Sequence, residues 1–385
     1  METIIAESGD SAISADDPPL PKRIRQHFQV TEKEWHNWKW QLQNRIRSID
    51  DLISILPDLK IKESEKAIRV FPMAITPYYL SLIRSFDFSD PVFRMSVPHP
   101  DELHNPVFMS NDPLQEEEHT VVPRLVHRYP DRALLISTSI CGMYCRYCTR
   151  KRIAGCTEKH ISREELSVIV NYLEEHKEIH DVIISGGDPL TMPTKKLEEI
   201  ISAIRKIKHI DIIRIGTKTI VTLPMRIDSS LVKMLKKYHP IYVNTHFNHP
   251  NEIKKESKQA CEKLVDAGIP IGNQSVLLKG VNDNTEIMME LCRNLLKIRC
   301  KPYYLFQCDL VKGCEHFRTK LETGMNIVGA MRGKISGLGI PSFILDAPNG
   351  IGKVPLLPNN FMQKNEKETI LYNFCGEKII YPEPF

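Results

Sequence analysis

Polar and apolar positions divide the chain into two textures. Residues 1–20 are rich in Ser, Asp, Ala and Pro and poor in aromatics, the composition of a disordered tail. From 21 to 125, Trp, Leu and Ile are interleaved with charges, as in RIRQHFQVTEKEWHNWKWQLQNRIRSIDDLISIL, which predicts a mainly helical region of amphipathic segments. The Pro-bearing stretches FPMAITPYYL and DFSDPVFRMSVPHPDEL break or redirect those helices. From about residue 132 short apolar runs alternate with helical patterns. Strands are expected over 133–138, 181–186, 211–216, 240–247, 269–278, 302–307 and 341–347. They are rich in Ile and Val, bounded by Gly, Pro or Asp, and mostly continuous, as strands covered on both faces are.

Helices are expected between them. Ser162 and Glu165 form a capping-box pattern, followed by Leu166, Ile169, Val170 and Leu173 on one face. Leu197, Ile200, Ile201 and Ile204 repeat the spacing, as do Leu231, Met234, Leu235 and Tyr238. Another helix ends at Ala267–Gly268, with Gly as its cap. Repeated β–α units imply an α/β fold with a parallel sheet and helices outside. About six units in a row, without a Gly-rich dinucleotide fingerprint after the first strand, favour a full or partial barrel over 126–348. In a barrel the functional residues gather at the C-terminal ends of the strands. Residues 349–385 form a loop and C-terminal segment.

Composition narrows the function classes. The chain has 385 residues, 42% hydrophobic and 26% charged, enough for a sizeable core. The balance of 52 basic and 48 acidic residues gives a net charge of +4, too mild to argue for nucleic acid or an anionic membrane. No apolar run approaches the roughly 18 residues of a membrane span, and the N-terminus lacks the pattern of a secretory signal. A cytoplasmic protein is expected. Most of the ten cysteines fall singly in apolar or helical stretches, where a free thiol is a small buried hydrophobe.

Three cysteines differ. Cys141, Cys145 and Cys148 form a C-x3-C-x2-C run just after the first barrel strand. Thiolates at such spacing converge on one point, as an iron–sulfur cluster or a thiophilic metal requires. A structural zinc site wants four ligands, and no fourth stands at finger-like spacing. Three thiolates on a 4Fe–4S cluster leave one iron open. Ser185-Gly186-Gly187-Asp188-Pro189 ends the second strand, where adjacent glycines allow a close backbone approach. By itself it reads as an ordinary turn. Lys353, in the Gly-bearing stretch after the last strand, suits either a solvated loop lysine or a Schiff-base lysine of lowered pKa. Arg128, Tyr129, Arg132, Arg150, Lys151 and Arg152 flank the first strand and the cysteine loop. They suit small anions better than an RNA surface, with a solvated charge cluster as the plain alternative. Asp309 and Asp346 each follow an apolar run; together they could hold one ammonium, and singly each could cap a turn.

Together these residues resemble the lysine 2,3-aminomutase family of the radical S-adenosylmethionine (SAM) superfamily. The matching blocks span about residues 25–382 and include HRYPDRAL, CGMYCRYCTRKR, SGGDPL, NTHFNHP, GVNDN, RCKPYYLFQCDL, EHFRT and DAPNGIGK. The resemblance implies a partial (β/α)6 TIM-like barrel of the radical SAM type. It also implies three cofactors: a 4Fe–4S cluster on Cys141, Cys145 and Cys148, SAM, and pyridoxal 5′-phosphate (PLP) carried by Lys353. Ser185, Gly186, Gly187, Asp188, His246 and Gln274 join the cofactor residues, and Arg128, Tyr129 and Arg132 surround the PLP. Arg150 is implied for the substrate α-carboxylate and Asp309 with Asp346 for the distal ammonium of lysine, an acid pair that relatives acting on glutamate do not keep. The activity implied is interconversion of L-lysine and β-lysine. Arginine or another amino acid as substrate, or a radical SAM enzyme modifying RNA or protein, are the alternatives. A one-electron donor such as ferredoxin or flavodoxin is the expected partner. Members often have His where Tyr147 stands here. Some bind an intersubunit zinc through a Cys in the GVND block; that position is Asn284 here, so a homo-oligomer without that zinc is expected.

Overall fold

In the computed structural model, which describes residues 20–57, 59–155, 157–356, 361–364, 368–373 and 375–382, strands of one sheet follow each other in chain order. They are β1 (Thr120–Val122), β2 (Leu125–Tyr129), β3 (Arg132–Thr138), β4 (Asp181–Gly186), β5 (Ile212–Gly216), β6 (Ile241–Thr245), β7 (Ile271–Leu277), β8 (Lys301–Gln307), β9 (Ser342–Ala347) and β10 (Gly352–Pro355). From β3 to β9 every neighbouring pair is parallel. At the edges β1, β2 and β3 pair antiparallel, as do β9 and β10. Between the parallel strands lie α1 (Arg163–Glu175), α2 (Thr194–Arg205), α3 (Ser229–Lys236), α4 (Lys255–Asp266), α5 (Thr285–Lys297) and α6 (Leu321–Met331). These are the expected six β–α units, closed by a seventh parallel strand. β1 and β10 stand at opposite ends of the sheet order, so the barrel is open, a partial TIM-like barrel. Near the C-terminus β11 (Phe361–Lys364), β12 (Glu368–Tyr372) and β13 (Lys378–Pro382) make a separate antiparallel sheet.

Local chemistry explains the elements. Ser162 and Glu165 form the expected capping box at the start of α1. Leu197, Ile200, Ile201 and Ile204 of α2 bury the face predicted for them. Gly268, just past α4, takes φ +80, a left-handed conformation that ends the helix at little steric cost.

The strands depart from the expectation that both faces are packed. Along β4, Val182 and Ile184 are buried beneath the helices, while Asp181, Ile183 and Ser185 line a hollow of about 480 Å³ inside the barrel. A closed eight-stranded barrel fills its interior with side chains; this open one keeps room for ligands. The polar residues Arg214, Asn244 and Gln274, set within apolar runs, mark the same inner face.

The N-terminal region folds as short helices, among them Leu20–His27, Trp38–Gln43, Ile49–Ile55 and Pro91–Ser96. Leu20 begins a helix and is buried; the rest of the segment read as a tail, residues 1–19, lies outside the described residues. The end of the stretch read as helical instead forms β1, because the β-branched run Thr120–Val122 meets a turn in which Arg124 takes φ +69. This region walls in the cysteine loop. Arg146, inside the loop and without solvent exposure, donates to Glu102 at 2.6 and 2.8 Å and to the carbonyls of Phe71 and Pro72 at 3.0 and 2.8 Å. Arg45 donates to the Cys141 carbonyl at 2.6 Å, and Tyr144 N to the Ala74 carbonyl at 2.9 Å. Among the described residues no helix is long and apolar enough to cross a membrane.

Candidate active site

The chemical motifs fall at the C-terminal ends of the parallel strands, as the barrel geometry predicts. Cys141, Cys145 and Cys148 follow β3 and line one cavity of about 190 Å³ with Ser185, Gly186, Gly187 and Asp188. Burial pushes all three thiols up, and their mutual charge adds to it for Cys141 and Cys148; Cys148 is pushed up to about 12. Three converging thiols cannot ionise together without a cation, which is the need an iron cluster meets. Among the described residues no three His, Cys, Asp or Glu side chains gather around one point closely enough for a single ion. A cubane puts each thiolate on a different iron, so its ligands stand wider apart, and the donor set fits a cluster. Cys261, Cys292, Cys300, Cys308 and Cys314 are buried, as expected of single apolar thiols, and Cys375 is exposed; Cys156 lies outside the described residues.

The Ser185–Asp188 segment is stitched to the start of the cysteine loop. Gly187 N donates to the Thr138 carbonyl at 2.6 Å and Asp188 N to the Ile140 carbonyl at 2.7 Å. A Cβ on Gly187 would stand 2.5 Å from the Ile140 oxygen, and Gly186 takes φ +127, so neither position admits a side chain. Asp188 is buried, and its carboxylate accepts from Thr217 Oγ1 at 2.6 Å and Lys218 N at 2.8 Å. It pins β4 to the loop after β5. His246 follows β6 and borders both cavities; burial and the Lys218 ammonium hold its imidazole down at about 4, and it hydrogen-bonds the Gln274 backbone. Gln274 lies on β7 and lines the larger hollow.

Lys353 does not sit on a loop. It is a residue of β10, directly opposite Asp346 of β9, because Gly350 and Gly352 with positive φ turn the chain into a hairpin. The surroundings are charged. Lys353 Nζ lies 2.9 Å from Asp346 Oδ2, and Arg128 Nη2 lies 2.9 Å from Asp346 Oδ1. The Tyr129 hydroxyl accepts from Arg128 at 2.9 Å and from Lys353 N at 3.1 Å, and the Arg132 guanidinium stands 4.0 Å over the Tyr129 ring. The basic group is therefore split: Arg128 and Arg132 gather with Lys353 around the Tyr129 ring, whereas Arg150 and Arg152 pair with Glu116 and Lys151 reaches Glu102 and the Gly313 carbonyl. Lys353, Arg128, Tyr129, Arg132 and Asp346 all line the 480 Å³ hollow. A lysine on the wall of a cavity rich in arginine and aromatic rings fits a phosphorylated aromatic aldehyde such as PLP.

Arg150 borders both cavities and is held by Glu116, with contacts of 2.6, 2.9 and 3.0 Å. Burial opposes the charge on Glu116, yet Arg150 and Arg152 hold its carboxyl down at about 2. Arg150 Nη1 is left pointing to Ser185 Oγ at 3.4 Å. Asp309, two residues past β8, accepts from Thr149 Oγ1 at 2.6 Å. Burial pushes its carboxyl up to about 6; the Thr149 bond opposes this and the Asp346 charge adds to it. The two acids thus sense one another at neighbouring strand ends. Asn284, in the GVND block, caps α5 by accepting from Glu286 N and Ile287 N.

Sequence reasoning missed Glu116, Thr149 and Lys218. Glu116 sits in an acidic run that looks like a solvated surface, and Thr149 had no feature beyond its neighbours. Lys218 follows an apolar strand directly, a signal of the same kind as those that flagged Asp309 and Asp346.

The sequence profile described as the radical SAM superfamily matches residues 135–292, and one described as lysine-2,3-aminomutase matches residues 328–385. The chain is 48% identical over 358 residues to the L-lysine 2,3-aminomutase of Acetoanaerobium sticklandii, covering 92% of this chain and 86% of that one. It is 47% identical over 367 residues to the L-lysine 2,3-aminomutase of Clostridium subterminale, covering 95% and 88%. A glutamate 2,3-aminomutase of Clostridioides difficile is 46% identical over 352 residues, covering 91% and 83%. The chain belongs to the lysine 2,3-aminomutase family of the radical SAM superfamily, whose members work with a 4Fe–4S cluster and SAM.

Proposed function

We propose that the protein interconverts L-lysine and β-lysine by moving the amino group between adjacent carbons. One observation carries the choice of substrate: Asp346 pairs with Lys353 at 2.9 Å, and Asp309, at the neighbouring strand end, is buried within reach of both their charges. A pair of acids suits a cationic side chain and repels the side-chain carboxylate of glutamate. Identity cannot make this choice, since relatives named for lysine and for glutamate stand at 48% and 46%.

In this reading Cys141, Cys145 and Cys148 hold the cluster, Ser185, Gly186, Gly187 and Asp188 form the SAM side of the site, and His246 and Gln274 serve the cofactors from the border of the two cavities and from the larger hollow. Lys353 carries PLP, with Arg128, Tyr129 and Arg132 about its phosphate and ring. When bound, the cluster and SAM supply a hydrogen-abstracting carbon radical, and PLP supplies the carbonyl group that takes up the migrating amine. The protein's own work is orientation. Glu116 fixes Arg150 so that its remaining donor edge meets the α-carboxylate. Asp309 and Asp346 take the distal ammonium at the other end, so the carbon chain is stretched between two charged anchors. Asp346 already meets Lys353 and Arg128, so the substrate ammonium would share that carboxylate with them. Residues bordering both cavities, Arg150, Ser185 and His246, keep the radical source and the substrate in contact without bulk water between them. A ferredoxin- or flavodoxin-class electron donor, a cytoplasmic setting and a homo-oligomer without intersubunit zinc complete the proposal.

The test is anaerobic reconstitution with iron, sulfide, PLP, SAM and dithionite, followed by product analysis on lysine, arginine and glutamate. β-Lysine from lysine, with no product from glutamate, is expected. Turnover of glutamate or arginine in preference to lysine overturns the assignment.

A further inference from the structure

Behind Cys145 lies a buried polar cluster to which the roles above give no work. Lys218 follows β5 and is 9% exposed; its ammonium donates to Glu252 Oε1 and to the His246 carbonyl, both at 2.7 Å. Glu252 has no exposure and also accepts from the Tyr79 hydroxyl at 2.7 Å and from Asn248 N and His249 N at 2.6 and 3.1 Å. Lys218 Nζ stands 6.0 Å from the centre of the Tyr147 ring. The Tyr147 hydroxyl accepts from Asn248 Nδ2 at 2.7 Å. Asn248 cannot present its oxygen there instead, because Oδ1 is taken by Val276 N at 2.8 Å. With that lone pair occupied, the Tyr147 hydroxyl keeps its proton for a second acceptor, and Tyr147 lines the same cavity as Cys145.

Burying an ion pair brings little stability, since desolvation offsets the attraction. A cation and an O–H donor beside one cluster ligand do have an electrostatic consequence. The reduced cluster carries one more negative charge than the oxidised one, and hydrogen bonds and charge near its sulfurs set the potential. We propose that Lys218 and Tyr147 raise the potential at which the bound cluster accepts its electron, with Glu252 as the residue that positions Lys218. The step is a single electron transfer from the ferredoxin- or flavodoxin-class donor: the cluster is reduced, the donor is oxidised, and no bond or proton changes place. Lys218 and Tyr147 favour the reduced state; Glu252 opposes it while holding Lys218 in position. Lys218 lines the cavity of the three cysteines together with Tyr147, whereas Glu252 lies behind it. The inference rests on the reading of Cys141, Cys145 and Cys148 as cluster ligands.

The experiment is a redox titration of the anaerobically reconstituted full chain, followed by electron paramagnetic resonance, without SAM or amino acid, with iron and sulfide counted in every sample. Tyr147→Phe is expected to lower the midpoint, and Glu252→Gln to raise it. Each should change the reduced-to-oxidised ratio at fixed poise by about tenfold, ~59 mV for a one-electron couple. The double variant Lys218→Met with Glu252→Gln removes the pair without stranding a charge and should lie below Glu252→Gln alone. Opposite signs from adjacent positions cannot come from general loosening, which would move every variant the same way. Unchanged midpoints, shifts of one common sign, or variants that all lose iron while the parent keeps it overturn the inference. A parent protein that binds no cluster overturns the underlying reading instead.

Discussion

Asp309 shows how much a single side chain takes from its surroundings. Its carboxyl is pushed up to about 6 by burial first, and then by the Asp346 charge, against the Thr149 bond and the Lys353 ammonium. Above that value it is an anion able to hold an ammonium; as pH falls through it, a proton takes the charge away. kcat/KM for lysine should therefore be level between about pH 7 and 8 and fall toward tenfold per unit below about 6, since this ratio reports ionisations of the free enzyme. Asp309→Asn should remove that limb. It should also cost about 2–5 kcal/mol in kcat/KM, the range for losing one partner of a buried charge pair, while SAM cleavage without lysine persists. A pH profile of wild type and variant checks both. An acid directly after an apolar run is a signal readable from the chain. That Thr149 would be its partner is not, because 160 positions separate them.

At the level of elements, the β9–β10 hairpin decides the relation between Lys353 and Asp346, placing them opposite each other in antiparallel register. Ile- and Val-rich strands and capped helices were legible because their patterns are local. β10 was not: four residues bounded by Gly and Pro carry no alternation, and their strand geometry comes from pairing with β9. The position of β9 depends in turn on α6. A Cβ on Gly324 would fall 2.2 Å from the Phe343 ring, so helix and strand meet where only glycine fits. Gly324→Ala should destabilise by about 1–3 kcal/mol through overpacking. The check is a lower urea midpoint at unchanged slope, together with weaker lysine turnover as Asp346 is displaced.

Over the whole molecule, the N-terminal helices serve the chemistry by enclosing the cysteine loop. Arg146 sits between Cys145 and Cys148 and reaches back to Glu102 and to the carbonyls of Phe71 and Pro72. Removing one partner of such a buried pair leaves an uncompensated charge and costs about 3–5 kcal/mol. Arg146→Met should show that loss in anaerobic chemical denaturation and should retain less iron after reconstitution. Replacing Glu102 with Leu in the same protein should restore most of the stability, because the stranded charge is then gone. If the single variant is as stable as wild type, the helical region does not brace the loop.

The order of strands and helices, the cysteine spacing, the capped starts of helices and the kinds of side chain at strand ends were determined by the sequence alone, because each depends on residues within a few positions of one another. Through its resemblance to a family, the chain also indicated what those residues are for. Only the tertiary structure decided that the barrel is hollow, that Glu116 steadies Arg150, that Asp346 lies between Arg128 and Lys353, and that Lys218 and Glu252 stand behind Cys145. Those pairings follow from how far the sheet curves before it stops, and from which distant segments that curvature brings within about 3 Å, the reach of a hydrogen bond.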